Sequence, residues 1–316
     1  MRTATISGLG TALPRTVITN HDLTAWLDTS DDWIRSRSGI AARHIADHDE
    51  SSTTLGADAA AAALADAGLT PADPDLVIVA TASPQTAMPG DAARIQDRLG
   101  LRCGGFDLGA ACAGFLYALS SASAMVASGN ADTVLVIGAE TMSRIVDPAD
   151  RNTAVLFGDG AGAVVVTPAV SDGRDPAGVL GHDQGCDGSA AHLLEIRPGE
   201  RYLHMDGREV FRRAVRAMAD SSLAALEAAK HTIHDVDLFV PHQANARIID
   251  ATADRLGICR ERTVTSVEFT GNTSAASIPL ALSAARDDGR LVAGGLVLLT
   301  AVGAGLSWAS TVVRWT

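Results

Sequence analysis

Three polar residues stand where apolar runs of the sequence begin or end, and each is of a type that can do chemistry. Cys112 lies near the start of GAACAGFLYALSSASAMVASGN, which predicts a helix buried on all sides. Unpaired N–H groups and the helix dipole at a helix start favour thiolate over thiol, which would lower the pKa of Cys112 and make it a nucleophile. A small cysteine buried in the core is the alternative, and this segment alone leaves both open.

His242 and Asn272 follow other apolar runs. His242 comes directly after Pro241 in DLFVPHQAN, where proline ends the strand and lets the next side chain leave the sheet. Asn272 lies in GNTSAAS, a turn before another predicted helix, where an asparagine is most often a cap or turn former. Each residue is weak evidence by itself, so the case depends on whether the fold brings the three together.

Bulk properties exclude several classes of function. The 316 residues carry a formal net charge of −12, and no run of basic residues is long enough to follow a nucleic acid. The uncharged stretches 108–131 and 291–313 predict a buried helix and two buried strands, so we expect no membrane span. The four cysteines show no metal-ligand or disulfide spacing, and MRTATISGLGTALP predicts a first strand rather than a signal peptide. We expect a cytoplasmic protein without a bound metal.

A weak internal repeat supplies a reason for the three residues to meet. Three blocks keep a constant offset of 162: Leu64 falls on Leu226, Cys112 on Ser274, and 134–137 on 296–299. The unbroken apolar strands LVIVA, TVLVIGA and GLVLL indicate α/β sheets covered on both faces. We therefore predict two halves, 1–170 with the cysteine and 171–316 with the histidine and asparagine, joined at TPAVSDGRDPAG. A pseudo-twofold axis would bring the equivalent strand ends together at one site.

The motifs around these residues resemble a known family. ACAGF, PHQAN, GNTSAAS, FGDGAGA at 157–163 and GAGLSW at 303–308 resemble the thiolase superfamily and, within it, the β-ketoacyl-[acyl-carrier-protein] synthase III family. The resemblance runs from about Ile6 to Trp315 and implies a duplicated thiolase-like fold of five layers, α-β-α-β-α. It also implies a homodimer whose pocket borrows a residue from the partner.

The resemblance implies a reaction and roles for the three residues. Cys112 would take an acyl group from a coenzyme A thioester, with the backbone N–H groups of Cys112 and Ala304 as oxyanion hole. Malonyl-acyl-carrier protein would then lose CO2, and His242 and Asn272 would donate hydrogen bonds to the resulting enolate oxygen. Coenzyme A enters as a substrate, so no permanently bound cofactor is expected.

Further binding residues follow from the same resemblance. Trp33 of TSDDWI would stack on the adenine of coenzyme A, Arg37 would reach its phosphates, and Arg151 would cover the other adenine face. Gly207 and Asn245 would line the pantetheine channel. A basic stripe would dock the carrier protein if DGREVFRRAVRAM is a helix, although a solvated helix face is the alternative. The stripe consists of Arg208, Arg212 and Arg216, extended by Arg247 and Arg255.

Two departures from the family pattern concern the acyl pocket. Val302 stands where an aromatic residue is frequent, and Met88 stands where a phenylalanine often gates the partner's pocket. Both predict a pocket that accepts starters wider than acetyl. Two other functions remain open at this stage: acyl transfer to an oxygen or nitrogen nucleophile, with His242 as general base, and a non-catalytic partner, against which the presence of Cys112 argues.

Overall fold

The computed structural model describes residues 2–170 and 177–316. Residues 171–176, which are half of the predicted join TPAVSDGRDPAG, lie outside the described part, while residues 167–170 extend a strand. The strands are β1 (Arg2–Ala12), β2 (Thr16–Thr19), β3 (Ala42–Ile45), β4 (Leu76–Ala80), β5 (Gly104–Leu108), β6 (Val134–Thr141), β7 (Asp159–Val170), β8 (Gly178–Cys186), β9 (Leu194–Glu195), β10 (His204–Met205), β11 (Leu238–Pro241), β12 (Leu296–Gly303) and β13 (Ser307–Arg314). The helices are α1 (Asn20–Leu23), α2 (Asp31–Ser38), α3 (Ser52–Asp66), α4 (Asp91–Leu99), α5 (Gly114–Ser128), α6 (Gly207–Ala228), α7 (Ala246–Leu256), α8 (Val267–Thr270) and α9 (Ser277–Asp287).

Two large sheets share one pattern of strands. The first has the order β1-β7-β6-β4-β5, and the second has the order β8-β13-β12-β11. In the first sheet β4 and β6 are parallel, and the pairs β6–β7 and β7–β1 are antiparallel. In the second sheet β11 and β12 are parallel, and the pairs β12–β13 and β13–β8 are antiparallel. Each sheet therefore repeats the same connectivity, with β5 as an additional edge strand on the first.

Five layers result because both faces of each sheet are apolar. In β4 the side chains of Val77 and Val79 pack against α3 and α4, whereas Ile78 and Ala80 pack towards α5 and α9. The second sheet is covered on its outer face by α6 and α7. The predicted α-β-α-β-α arrangement is confirmed, with α5 and α9 in the middle layer.

The helix that includes Cys112 is a core element. The stretch Ala111–Ser128 is long and apolar enough to cross a membrane by composition, but it packs between the two sheets. The stretch 291–313 forms β12 and most of β13. The predicted buried helix and pair of buried strands are therefore confirmed.

The offset of 162 holds for the strands and changes at the turns. β11 begins 162 residues after β4, and β12 spans the positions 162 after those of β6. Short 3-10 turns precede the middle helices at Ala111–Ala113 and Ser274–Ala276, and their first residues have left-handed φ values of 46° and 47°. The difference 274 − 111 = 163 shows that Cys112 corresponds to Ala275, so the predicted match with Ser274 was wrong by one residue.

Each half packs a glycine of its central strand against the turn of the other half. A Cβ on Gly138 of β6 would lie 2.4 Å from the carbonyl oxygen of Ala275, and a Cβ on Gly303 of β12 would lie 2.7 Å from the amide nitrogen of Cys112. Backbone atoms cannot move away as a flexible side chain can. These two glycines therefore permit the close approach that forms the interface between the halves.

We expect Gly138→Ala to destabilise the protein by about 1–3 kcal/mol, the range for overpacking a tight core. The matched control is Gly188→Ala, because a Cβ at Gly188 meets no atom within 4 Å. Equilibrium unfolding in urea measures both. Equal stability of the two variants would contradict the close packing of β6 against the second turn.

Candidate active site

One cavity of about 680 Å³ holds all three predicted catalytic residues. Cys112, His242 and Asn272 line its inner part and are 7%, 1% and 7% exposed. The exposed side chains of Arg37 and Arg208 lie at its rim. The cavity thus connects solvent with three side chains buried between the two halves.

Cys112 is presented by the strained turn that precedes α5. The left-handed Ala111 turns the chain so that Cys112 lies at the start of the helix, and Gly303 allows β12 to contact its amide nitrogen. Ala304 directly follows that glycine. The backbone N–H groups named by the oxyanion-hole prediction therefore belong to adjoining segments, although Ala304 does not line the cavity among the described residues.

The thiol of Cys112 is protonated at neutral pH. Its pKa is raised to about 12, mainly by burial and also by the negative charge of Glu140, although hydrogen bonds with the Ser274 side chain and with the Cys112 backbone lower it. The prediction of a lowered pKa was wrong, because burial destabilises the thiolate more than the start of the helix stabilises it. A nucleophilic role for Cys112 would therefore require the thiol to lose its proton during the reaction rather than before it.

His242 is a neutral ring held in one orientation. Its amide donates to the Thr300 carbonyl at 2.7 Å, and its Nδ1 lies 2.5 Å from Ser277 Oγ. Burial lowers the pKa of His242 to about 3. Ser277 Oγ also accepts the amide of Gln243 at 3.4 Å. When the Ser277 hydroxyl donates to Nδ1, the ring proton lies on Nε2. The histidine is therefore a neutral hydrogen-bond donor.

Asn272 is fixed by both its backbone and its side chain. Its amide donates to Leu156 at 2.8 Å, and its carbonyl accepts the amide of Gly158 at 3.0 Å. Its Oδ1 accepts the amide of Ser274 at 2.9 Å, which leaves Nδ2 as the group that can donate into the cavity. The site thus offers two neutral donors close to one thiol.

The outer part of the cavity contains most of the predicted coenzyme A residues. Trp33, Arg37, Gly207 and Asn245 line it, and Asn245 also caps α7 by accepting the Ile248 amide at 3.0 Å. The Arg151 guanidinium lies 4.0 Å from the centroid of the Trp33 ring. An aromatic ring between them would need about 7 Å, two van der Waals contacts, so Arg151 must move for the predicted sandwich to form.

The two residues predicted for the acyl pocket lie apart. Val302 lines the cavity and is 6% exposed. Met88 is 87% exposed and does not contribute to this cavity among the described residues. The prediction that Met88 acts in a partner's pocket stays a prediction.

The five arginines predicted for docking divide into two groups. Arg208 and Arg247 line the mouth of the cavity. Arg212 and Arg216 line a second groove on α6, where Arg212 pairs with Glu209 at 2.7 Å and Arg216 with Asp220 at 3.5 Å. Arg255 also pairs with Asp220, at 3.5 Å. Carboxylates thus partly neutralise the outer group.

Sequence reasoning missed two residues that shape the site. Ser277 ends the motif GNTSAAS, and Glu140 is an acid at the end of the apolar strand TVLVIGAET. A polar residue at the end of a buried run was the available signal for both. Within residues 2–170 and 177–316, no group of three or more His, Cys, Asp or Glu could hold a metal.

Comparisons with known proteins agree with the motifs. The family model for 3-oxoacyl-[acyl-carrier-protein] synthase III matches residues 106–197, and the model for its C-terminal part matches residues 226–315. The chain is 48% identical to β-ketoacyl-[acyl-carrier-protein] synthase III of Rhizobium meliloti, over 98% of both chains.

Solved structures are similar over the whole length. The 3-oxoacyl-[acyl-carrier-protein] synthase III of Aquifex aeolicus has a TM-score of 0.94 and 44% identity, covering 99% of this chain and 100% of that one. The priming β-ketosynthase of the R1128 polyketide biosynthetic pathway has a TM-score of 0.94 and 40% identity, covering 99% and 96%.

Alkylation of Cys112 by iodoacetamide should accelerate about tenfold per pH unit from pH 7 to 10, because only the thiolate reacts and its pKa is about 12. Peptide mass spectrometry separates Cys112 from the exposed Cys186 and Cys259. A rate that levels off near neutral pH would show a lowered pKa instead.

The ring of His242 should stay neutral with its proton on Nε2 from pH 8 to 5, since its pKa is about 3. Nitrogen-15 NMR of histidine-labelled protein measures this directly. Ser277→Ala removes the hydroxyl that faces Nδ1 and should mix the two tautomers. His182, whose Nδ1 lies 3.1 Å from Thr311 Oγ1, serves as the unchanged reference in the same spectrum.

Proposed function

The chain belongs to the β-ketoacyl-[acyl-carrier-protein] synthase III family, and we propose that Cys112, His242 and Asn272 carry out the condensation in it. The enzyme is an acyltransferase that joins an acyl-CoA starter to malonyl-acyl-carrier protein by decarboxylative Claisen condensation, at the start of fatty acid synthesis. The convergence of one thiol and two oriented donors in one buried cavity carries the assignment of residues.

In the first step Cys112 attacks the carbonyl carbon of the acyl-CoA. A carbon–sulfur bond forms, the coenzyme A sulfur leaves, and the thiol proton ends on that sulfur. The backbone N–H groups of Cys112 and Ala304 stabilise the tetrahedral oxyanion in this proposal. Burial excludes water, which would otherwise hydrolyse the acyl-enzyme.

In the second step two donors stabilise the charge that develops when malonyl loses CO2. The electron pair of the breaking carbon–carbon bond moves onto the thioester, whose oxygen accepts from His242 Nε2 and Asn272 Nδ2. The enolate carbon then attacks the acyl group on Cys112. The cysteine sulfur leaves as a thiolate and takes a proton from solvent, which restores the thiol. Each donor is worth about 3 kcal/mol in the transition state by analogy with other oxyanion holes.

The tautomer of His242 favours condensation over acyl transfer to an oxygen or nitrogen nucleophile. Such a transfer needs a proton acceptor at the nucleophile. In the proposed tautomer the Ser277 hydroxyl donates to Nδ1, and Nε2 carries the ring proton. This arrangement supports the role of a donor to an enolate.

The outer cavity is the proposed binding channel for coenzyme A. Trp33 and Arg151 would bind the adenine after Arg151 moves from its stack on the indole, and Arg37 would pair with phosphate. Gly207 and Asn245 would line the pantetheine arm. The small Val302 beside this channel supports starters wider than acetyl.

Partner binding is proposed at two surfaces. Arg208 and Arg247 at the cavity mouth would dock the acidic carrier protein, with Arg212, Arg216 and Arg255 as a weaker extension because carboxylates already pair with them. The sheet edge β5 has exposed side chains, including Phe106 at 42%, which supports its use as the interface of a homodimer. In that dimer Met88 would reach the partner's pocket.

The test is mass spectrometry of the intact protein with a panel of acyl-CoA thioesters, followed by malonyl-carrier protein. Acetyl, branched and longer acyl groups should load on Cys112 at comparable rates, and condensation should release one CO2 per β-keto product. Cys112→Ser should not load. Asn272→Ala should load but condense about 10²–10³-fold more slowly, the loss typical of one oxyanion donor. Strict preference for acetyl, or a product without CO2 loss, would contradict the proposal.

A further inference from the structure

A fully buried carboxylate lies beside the active site and is not used in the mechanism above. Glu140 occupies the second-last position of β6 and is 0% exposed. Among the described residues no Lys, Arg or His forms an ion pair with it. Burying a charge without a counterion is costly, so its hydrogen bonds have to compensate.

Every group facing Glu140 in the loop after β4 donates a hydrogen bond. Its Oε2 accepts the amides of Ala82 at 3.0 Å and Ser83 at 3.1 Å, the Thr81 hydroxyl at 3.2 Å and the Ser83 hydroxyl. Ser83 Oγ already accepts the Thr141 amide, and Thr81 Oγ1 already accepts the Ser83 amide. Both hydroxyl protons therefore point to Glu140. Burial raises the pKa of Glu140, and these hydrogen bonds oppose that shift because they favour the charged carboxylate.

The remaining oxygen of Glu140 holds the second half of the molecule. Its Oε1 accepts the amide of Ala275 at 3.3 Å. Gly138, in the same strand, leaves room for the carbonyl of that residue. Strand β6 thus contacts both the amide and the carbonyl of Ala275, through Glu140 and Gly138 respectively.

This contact reaches the catalytic asparagine through one residue. Ser274 precedes Ala275, and its amide donates to Asn272 Oδ1 at 2.9 Å. The orientation of Asn272 Nδ2 therefore depends on the turn that Glu140 holds. Resting on the proposed function, we propose that Glu140 is a positioning residue that keeps Asn272 aimed at the enolate oxygen.

The charge of Glu140 also affects Cys112, and this effect distinguishes the proposed role from a purely structural one. After burial itself, Glu140 is the interaction that raises the pKa of the Cys112 thiol. The other groups facing Cys112 are uncharged: the His242 ring is neutral, and Ser274 and Asn272 do not titrate. Removing the charge should make the free thiol more reactive while condensation becomes slower.

The experiment compares Glu140→Gln with Asp159→Asn. Asp159 is a matched control because it is also 0% exposed and its carboxylate accepts hydrogen bonds from Ala46 and Ser143. Unlike Glu140, it does not shift the pKa of Cys112. Three rates are measured on the full-length enzyme: acylation of Cys112 in a single turnover, decarboxylation of malonyl-carrier protein, and alkylation of Cys112 by iodoacetamide at pH 8.

Glu140→Gln should slow decarboxylation by about 10²-fold, the loss expected when a catalytic group moves by 1 Å, and slow acylation far less. Its alkylation rate should rise. Asp159→Asn should leave the ratio of the first two rates and the alkylation rate as in the wild type. Equal losses of acylation and decarboxylation in Glu140→Gln, with unchanged alkylation, would overturn the proposal.

Two further measurements keep the outcome decisive. If Glu140→Gln does not fold, Glu140→Asp keeps the charge but withdraws from Ala275, so decarboxylation should fall while alkylation stays constant. Wild-type rates in Glu140→Asp would overturn the positioning role. A wild-type protein that does not load Cys112 or release CO2 would instead refute the proposed function, which separates the two failures.

Discussion

The backbone of Asn272 is hydrogen-bonded across the interface between the two halves of the protein. Its amide binds Leu156 and its carbonyl binds Gly158, both in the first half, while its side chain faces the same cavity as Cys112. The pairing resembles one step of a parallel sheet between Phe157 and Asn272. These two bonds fix how far the Asn272 side chain lies from Cys112. The close approach at Gly138 and Gly303 depends on the same alignment of the two halves.

Desolvation sets the charge state of the whole site. It raises the pKa of Cys112 to about 12 and lowers that of His242 to about 3, so the resting pair is thiol and neutral imidazole rather than thiolate and imidazolium. A neutral histidine can donate from Nε2 to an enolate without first taking a proton from the cysteine. In the proposed mechanism, the same burial that keeps the Cys112 thiol protonated also protects the acyl-enzyme from water. The thiol would then lose its proton only when the substrate carbonyl lies against the backbone N–H groups of the oxyanion hole.

Much of this arrangement follows from the sequence, because strand alternation and the repeat are local signals. The offset of 162 predicted where β11 and β12 begin, and the motifs predicted which three side chains meet. The one-residue shift at the turns was hidden, since a left-handed alanine or serine has no sequence signature. The pKa of Cys112 was mispredicted because the prediction considered the start of the helix and not the desolvation that follows from burying that helix. The ion pair between Asp220 and Arg255 likewise requires the packing of α6 against α7, which the sequence does not show.

The two equivalent turns show how a duplicated fold divides one task. In each turn a left-handed residue, Ala111 or Ser274, directs the next amide towards the interface. In the first half that amide belongs to Cys112, and the proposed mechanism leaves it for the oxyanion of the substrate. In the second half it belongs to Ala275, and the carboxylate of Glu140 already occupies it. The two turns thus present equivalent backbone amides to different acceptors. The amide of Ala275 binds the carboxylate of Glu140, and this bond holds the turn that orients Asn272. The amide of Cys112 stays available, in the proposed mechanism, for the oxyanion that forms only during the reaction.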